Sequence, residues 1–243
     1  MSALLSTLYR VSAFGFFLFV IHSFHQFAFG HGDYSVVTFG HMSIYLTFVV
    51  LVIQLVYFLL ATPIQLMKQH TLHSSLFCGT FTASLFVCLM FWVIFLYDNK
   101  LLLNNPDLRK FPLWFSHASH SVGVCTSVLD AYLSRPSSLS FVYTALLVFA
   151  LAGGYTTYVE YLARFKSTYP YPLVQNLSPS GRYILYGVGW IVIFLCMIVA
   201  YLVTRFLLIR QRPRKLAPRS KPAAAKPHPD AHKGKPRKPR KAD

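Results

Sequence analysis

Long apolar runs alternate with short polar breaks from the start of the chain to about residue 209. A helix needs about 20 apolar residues to cross the hydrocarbon core of a bilayer. Six stretches reach that length almost without Asp, Glu, Lys or Arg: 11–30, 41–61, 75–97, 113–133, 137–159 and 183–204, with Asp130 near the end of the fourth as the exception. The breaks carry turn residues or charges: His31-Gly32-Asp33, Pro63 to Lys68, Asp98 to Pro112, Arg135-Pro136 and Glu160 to Arg182. The period-two alternation of a membrane barrel is absent, so the pattern predicts helices. The fold class is therefore all-α: a polytopic membrane protein with a six-helix transmembrane domain over residues 1–209. The first run follows Arg10 and ends in Ala28-Phe29-Gly30, which raises a signal peptide as the alternative. Its length exceeds the roughly 7–15 residues of a signal core, so it is read as a retained helix.

Composition agrees with this. The chain is 55% hydrophobic and only 12% charged, about half the charged share of roughly 25% in soluble domains. The formal net charge of +16 is concentrated at one end: residues 210–243 hold 13 of the 23 Lys and Arg. That segment also has seven of the 14 prolines and no aromatic residue. It is expected to be a disordered cytosolic tail, because it has too little apolar surface to offset the entropy of ordering. Its charge suits the anionic cytoplasmic leaflet. The basic pI reflects the tail and does not indicate nucleic-acid binding. With six spans and a cytosolic tail, both termini face the cytosol. The loop charges alone do not support this side, since Lys100, Arg109, Lys110, Arg164, Lys166 and Arg182 would face outward. The address is open between endoplasmic reticulum and plasma membrane. All four cysteines (Cys78, Cys88, Cys125, Cys196) lie in predicted spans, where they are small core residues rather than a disulfide framework.

Polar side chains inside a span are costly, which makes them candidates for function. Counted from His41 and Leu113, Thr47 and His120 each lie about seven residues into their spans, roughly 10 Å deep at 1.5 Å per residue. His117 is one turn above His120. His22 and His25 lie in the same outer half, and Asp98 and Glu160 close the third and fifth spans there. The inner half offers Asp130 and little else. The plainer alternatives are that Thr47 bonds its own backbone one turn back, that Gln54 joins two helices, and that Asp98 and Glu160 meet water at helix ends.

At these residues the chain resembles a known family, the androgen-induced and androgen-dependent TFPI-regulating proteins. The resemblance is carried by Tyr45-Leu46-Thr47-Phe48 running into Leu51-Val52-Ile53-Gln54, by Phe91-Trp92-Val93-Ile94 with Tyr97-Asp98, and by Pro112, Trp114, His117 and His120. Tyr171-Pro172, Pro179, Arg182 and Gly187 continue it before the last span. It covers residues 1–209 and excludes the tail. It implies a six-span threonine hydrolase that cleaves fatty acid esters of hydroxy fatty acids, with Thr47 as nucleophile, His120 as base and no cofactor. A threonine hydroxyl needs such a base. Asp98 is the first candidate to orient His120 and Glu160 the second, with His117 in a positioning role. Two readings from other classes stay open: histidines of helix one with His120 holding a b-type haem or a metal, and a membrane regulator without catalysis.

Overall fold

The computed structural model describes residues 3–29, 40–102, 111–134 and 138–211. Among them there are helices and turns and no strand. The elements are α1 (Ala3–Phe29), α2 (Leu46–Leu66), α3 (His70–Asp98), α4 (Leu113–His120), α5 (Val122–Ser134), α6 (Phe141–Phe165), α7 (Pro172–Gln175) and α8 (Pro179–Gln211). Five of these helices (α1, α2, α3, α6 and α8) are long and apolar enough to cross a membrane. Leu18, Leu59, Val93, Leu146 and Ile191 are among the large apolar side chains on the outer surface. Such a surface suits lipid and not water. The predicted breaks at 31–33 and 135–136 lie outside the described residues, as does the basic tail from residue 212; its first two residues, 210 and 211, complete α8.

The fourth predicted span is not one helix. It is split at Ser121 into α4 and α5. Two adjacent side chains draw on the backbone carbonyls at the end of α4: Ser119 Oγ donates to Phe115 O at 2.7 Å, and His120 Nδ1 lies 2.8 Å from Ser116 O. Side-chain bonds to carbonyls one turn back destabilise helices slightly and often bend them. Trp92 Nε1 then donates to Ser121 Oγ at 2.8 Å and pins the break to α3.

The turn between α2 and α3 is short and well closed. Pro63 lies inside α2, and the helix continues past it to Leu66. Lys68 N–H bonds Gln65 O and Gln69 N–H bonds Ile64 O, with Lys68 in the left-handed region at φ 59°. This is the Schellman closure, with lysine where glycine is usual.

Helix α3 is central and packs against α2, α5, α6 and α8. Its buried face includes Ser74, Ser75, Thr80, Thr82, Ala83 and Ser84. Small side chains let backbones approach, which matters in lipid because burying apolar surface there gains little over contact with acyl tails. Polar pairs supply the rest. Arg10 on α1 is 1% exposed and Asp130 on α5 is fully buried. Arg10 Nε lies 2.9 Å from Asp130 Oδ1, and Tyr57 on α2 donates to Oδ2 at 2.5 Å. Arg10 also reaches Gln65 Oε1 at 2.8 Å and His73 Nε2 at 2.9 Å. One ion pair thus ties α1, α2, α3 and α5 together. The sequence had left Asp130 as an isolated inner-half carboxylate, because its partner is 120 residues away.

Candidate active site

Thr47 enters through the start of α2. The helix begins at Leu46 rather than His41, with Tyr45 as its N-cap. Thr47 is therefore in the first turn, a correction to the depth of seven residues counted from His41. The consequence is chemical. Elsewhere in the bundle Thr82, Ser84, Thr144, Thr156 and Thr204 each donate to the carbonyl four residues back. Thr47 has no helical turn behind it. Its Oγ1 lies 3.1 Å from His120 Nε2 instead.

His120 ends α4, and its ring is held on both sides. Ser116 O is 2.8 Å from Nδ1. A carbonyl only accepts, which assigns the ring proton to Nδ1 and leaves Nε2 as an acceptor for the Thr47 hydroxyl. Phe91 on α3 stacks on the imidazole with ring centres 3.5 Å apart and planes 14° off parallel. Ser119 Oγ, 2.9 Å from Nδ1, completes the cradle. The order is thus Thr47 O–H to His120 Nε2, and Nδ1–H to a backbone carbonyl.

The carboxylates weighed as orienting groups are engaged elsewhere. Asp98 accepts the Lys100 N–H at 2.9 Å and caps the turn after α3. Glu160 accepts from Arg164 at 2.7 Å and from Arg182 at 3.2 Å, joining α6 to α8. The physical correction is that Ser116 O, one turn back on the same helix, fills the role assigned to a carboxylate. His117 faces outward, its ring tilted against Trp92 at 4.8 Å. His22 is exposed and His25 is buried, both on α1. Gln54 donates to Ser84 Oγ at 2.6 Å across α2 and α3. Among the described residues, no group of three or more His, Cys, Asp and Glu is placed to hold a metal.

Thr47 and His120 both open onto a cavity of about 430 Å³, within the usual range for small-molecule sites. Its walls are mostly apolar, with Val50, Phe86, Met90, Ile94, Leu151 and Trp190 among them. Tyr45, Tyr155, Tyr171 and Tyr186 break that lining, and two of these phenols bond the backbone just before Thr47. Tyr155 on α6 donates to Ile44 O at 2.8 Å. Tyr171, before α7, accepts the Leu46 N–H at 3.1 Å. Burial pushes the Tyr171 hydroxyl up to about 12. The sequence marks Phe91 and Tyr171 only as carriers of the resemblance, and Ser116 and Ser119 not at all. The repeat Ser116-His117-Ala118-Ser119-His120 was the available signal for the serines.

Comparison with known proteins gives a consistent picture. The sequence model of a family described as FAR-17a/AIG1-like protein matches residues 2–207. The chain is 30% identical over 123 residues to a UPF0641 membrane protein of Schizosaccharomyces pombe, covering 50% of this chain and 55% of that protein. It is 26% identical over 113 residues to the human Androgen-induced gene 1 protein, covering 44% and 45%. It is 29% identical over 114 residues to the human Androgen-dependent TFPI-regulating protein, covering 46% and 49%. The matched stretch spans about half the length of these curated relatives. No solved structure matches the chain.

Proposed function

The chain belongs to the FAR-17a/AIG1-like family of membrane proteins, and from that premise we propose that it is a hydrolase of lipid esters. Thr47 is the nucleophile and His120 the general base. The observation that carries the reading is the 3.1 Å approach of Thr47 Oγ1 to His120 Nε2 at the wall of an apolar cavity. As Thr47 attacks the ester carbonyl, Nε2 takes its proton and the Ser116 carbonyl stabilises the imidazolium through Nδ1–H. The proton then passes to the departing alkoxide, and water hydrolyses the acyl-threonine by the same route. The first turn of α2 adds backbone N–H groups without helical partners and the positive end of the helix dipole.

The substrate class follows from the resemblance seen in the sequence: fatty acid esters of hydroxy fatty acids, whose acyl chains suit the apolar walls. The protein sits in the endoplasmic reticulum or plasma membrane. The α4–α5 pair counts as one crossing, and both termini are cytosolic. The haem and metal readings are disfavoured because both nitrogens of His120 are already engaged, one by Thr47 and one by Ser116.

The test is turnover of such an ester by purified protein, with labelling by a fluorophosphonate probe directed at serine and threonine. Wild type is expected to be labelled at Thr47, and Thr47→Ala is expected to lose both label and turnover. A folded Thr47→Ala protein with full turnover overturns the reading and leaves the regulator role in its place.

A further inference from the structure

Tyr171 lies on the segment between α6 and α8 that crosses the first turn of α2, and its hydroxyl is placed by three observations. Its oxygen accepts the Leu46 N–H at 3.1 Å, which fixes it beside the nucleophile. Its ring packs edge-on against Tyr45, with centres 5.9 Å apart. It lines the same cavity as Thr47 and His120.

Counting protons shows what that hydroxyl has to give. A phenol has one proton and can also accept. Tyr171 accepts from Leu46 and retains its own proton. Its near neighbours, the Tyr155 and Thr47 hydroxyls, have directed theirs to Ile44 O and His120. None of these contacts uses the Tyr171 proton, since in each the Tyr171 oxygen can only accept or stand by. A neutral hydroxyl oxygen nearby is a weaker acceptor for that proton than an oxygen gaining negative charge.

We propose that the Tyr171 hydroxyl is the hydrogen-bond donor to the oxyanion formed when Thr47 attacks, a catalytic role that rests on the ester-hydrolase reading above. The step balances without another reactant. A bond forms from Thr47 Oγ to the carbonyl carbon, the C=O π pair moves onto oxygen, and the threonine proton goes to His120 Nε2. Tyr171 O–H donates to that oxygen and keeps its proton throughout. When the C=O re-forms, the C–O bond to the leaving alkoxide breaks, and His120 protonates the alkoxide. Burial supports the role, because a phenol raised to about 12 remains a donor across the physiological range. The preorganisation is also apt. The hydroxyl is anchored to the same helix turn as the nucleophile, so little reorganisation is needed at the moment of reaction.

The experiment is Tyr171→Phe in the full chain, purified in detergent beside wild type and Thr47→Ala, with a melting curve to establish the fold. Loss of one oxyanion donor lowers kcat by about 10²–10³-fold. KM is expected to stay within about threefold, and fluorophosphonate labelling of Thr47 should slow in parallel because the phosphoryl oxygen uses the same donor. Wild-type kcat in Tyr171→Phe with Thr47→Ala inactive overturns this role and leaves the hydrolase reading standing. Full activity in both variants overturns the hydrolase reading and this one with it. A raised KM at unchanged kcat also overturns it, since that is loss of uniform binding. If Tyr171→Phe does not fold, fluorotyrosines at 171 keep the ring and the hydroxyl. A graded change of kcat with phenol acidity supports the role, and a flat series overturns it.

Discussion

Two polar centres are buried in the same bundle, and they differ in what surrounds them. Around Arg10 and Asp130, charge meets charge and each head group finds further partners in Tyr57, Gln65 and His73. Among the described residues that line the cavity around Thr47 and His120 none is charged, the hydrogen bonds run in one direction, and one side is open cavity. An ionisable residue in a span is a functional candidate by default. Here that default points first to Arg10 and Asp130, the most deeply buried charges among the described residues, yet they are tied into a closed structural knot. The difference teaches that access and direction mark a site better than burial of charge. A reactive hydroxyl needs a base with an unprotonated lone pair and room for a substrate, and of the two centres the second offers both.

The comparison is broken most decisively at its reactive end. Thr47→Ala and His120→Ala are each expected to lower kcat for ester hydrolysis by at least about 10⁴-fold with the fold intact, and the double variant to lose little more, because the two act as one unit. Thr47→Ser should keep measurable turnover. Steady-state kinetics on matched amounts of folded protein give the answer, and additive losses in the double variant would dissolve the pair.

At the other centre the expected effect is on stability. Asp130→Ala leaves Arg10 buried without its counter-charge and should cost roughly 3–5 kcal/mol. Replacing both partners, as Arg10→Met with Asp130→Leu, should restore most of that and leave the hydrolysis rate near wild type. Unfolding in mixed detergent reads the first quantity and kinetics the second. A folded double variant without turnover would mean the knot takes part in the chemistry.

A smaller effect is expected where the two centres adjoin, on α5 just after the break. A Cβ at Gly123 would run into the Gln54 amide, whose carbon lies 2.8 Å from that position. Gly123→Ala should therefore cost about 1–3 kcal/mol through overpacking, read as a lower melting temperature. The smallest change belongs to the turn after α2. Lys68 sits in the left-handed region, so Lys68→Gly should stabilise the protein by less than about 1 kcal/mol with no change in turnover. A clear loss of stability there would show that the lysine side chain contributes more than its strained backbone costs.

Much of the fold was legible from periodicity and length. A 20-residue apolar run has few alternatives to a spanning helix, since the backbone must satisfy itself in lipid. Five such helices appear where the runs predict them, and Thr47 and His120 stood out because polar groups in such runs are rare. Three things were not legible. The start of α2 at Leu46 depends on Tyr171 reaching in from another segment to receive the first N–H. At the break after His120, Ser119 and His120 turn their side chains onto the helix's own carbonyls, and Trp92 of α3 bonds Ser121. The pairing of Arg10 with Asp130 joins residues 120 positions apart. The sequence by itself determined which segments are helical and which side chains are too polar to sit in a span without a reason. Only the tertiary structure decided which partner each polar group found, because hydrogen bonds and ion pairs are short-ranged and directional, whereas apolar burial depends on pattern and not on register.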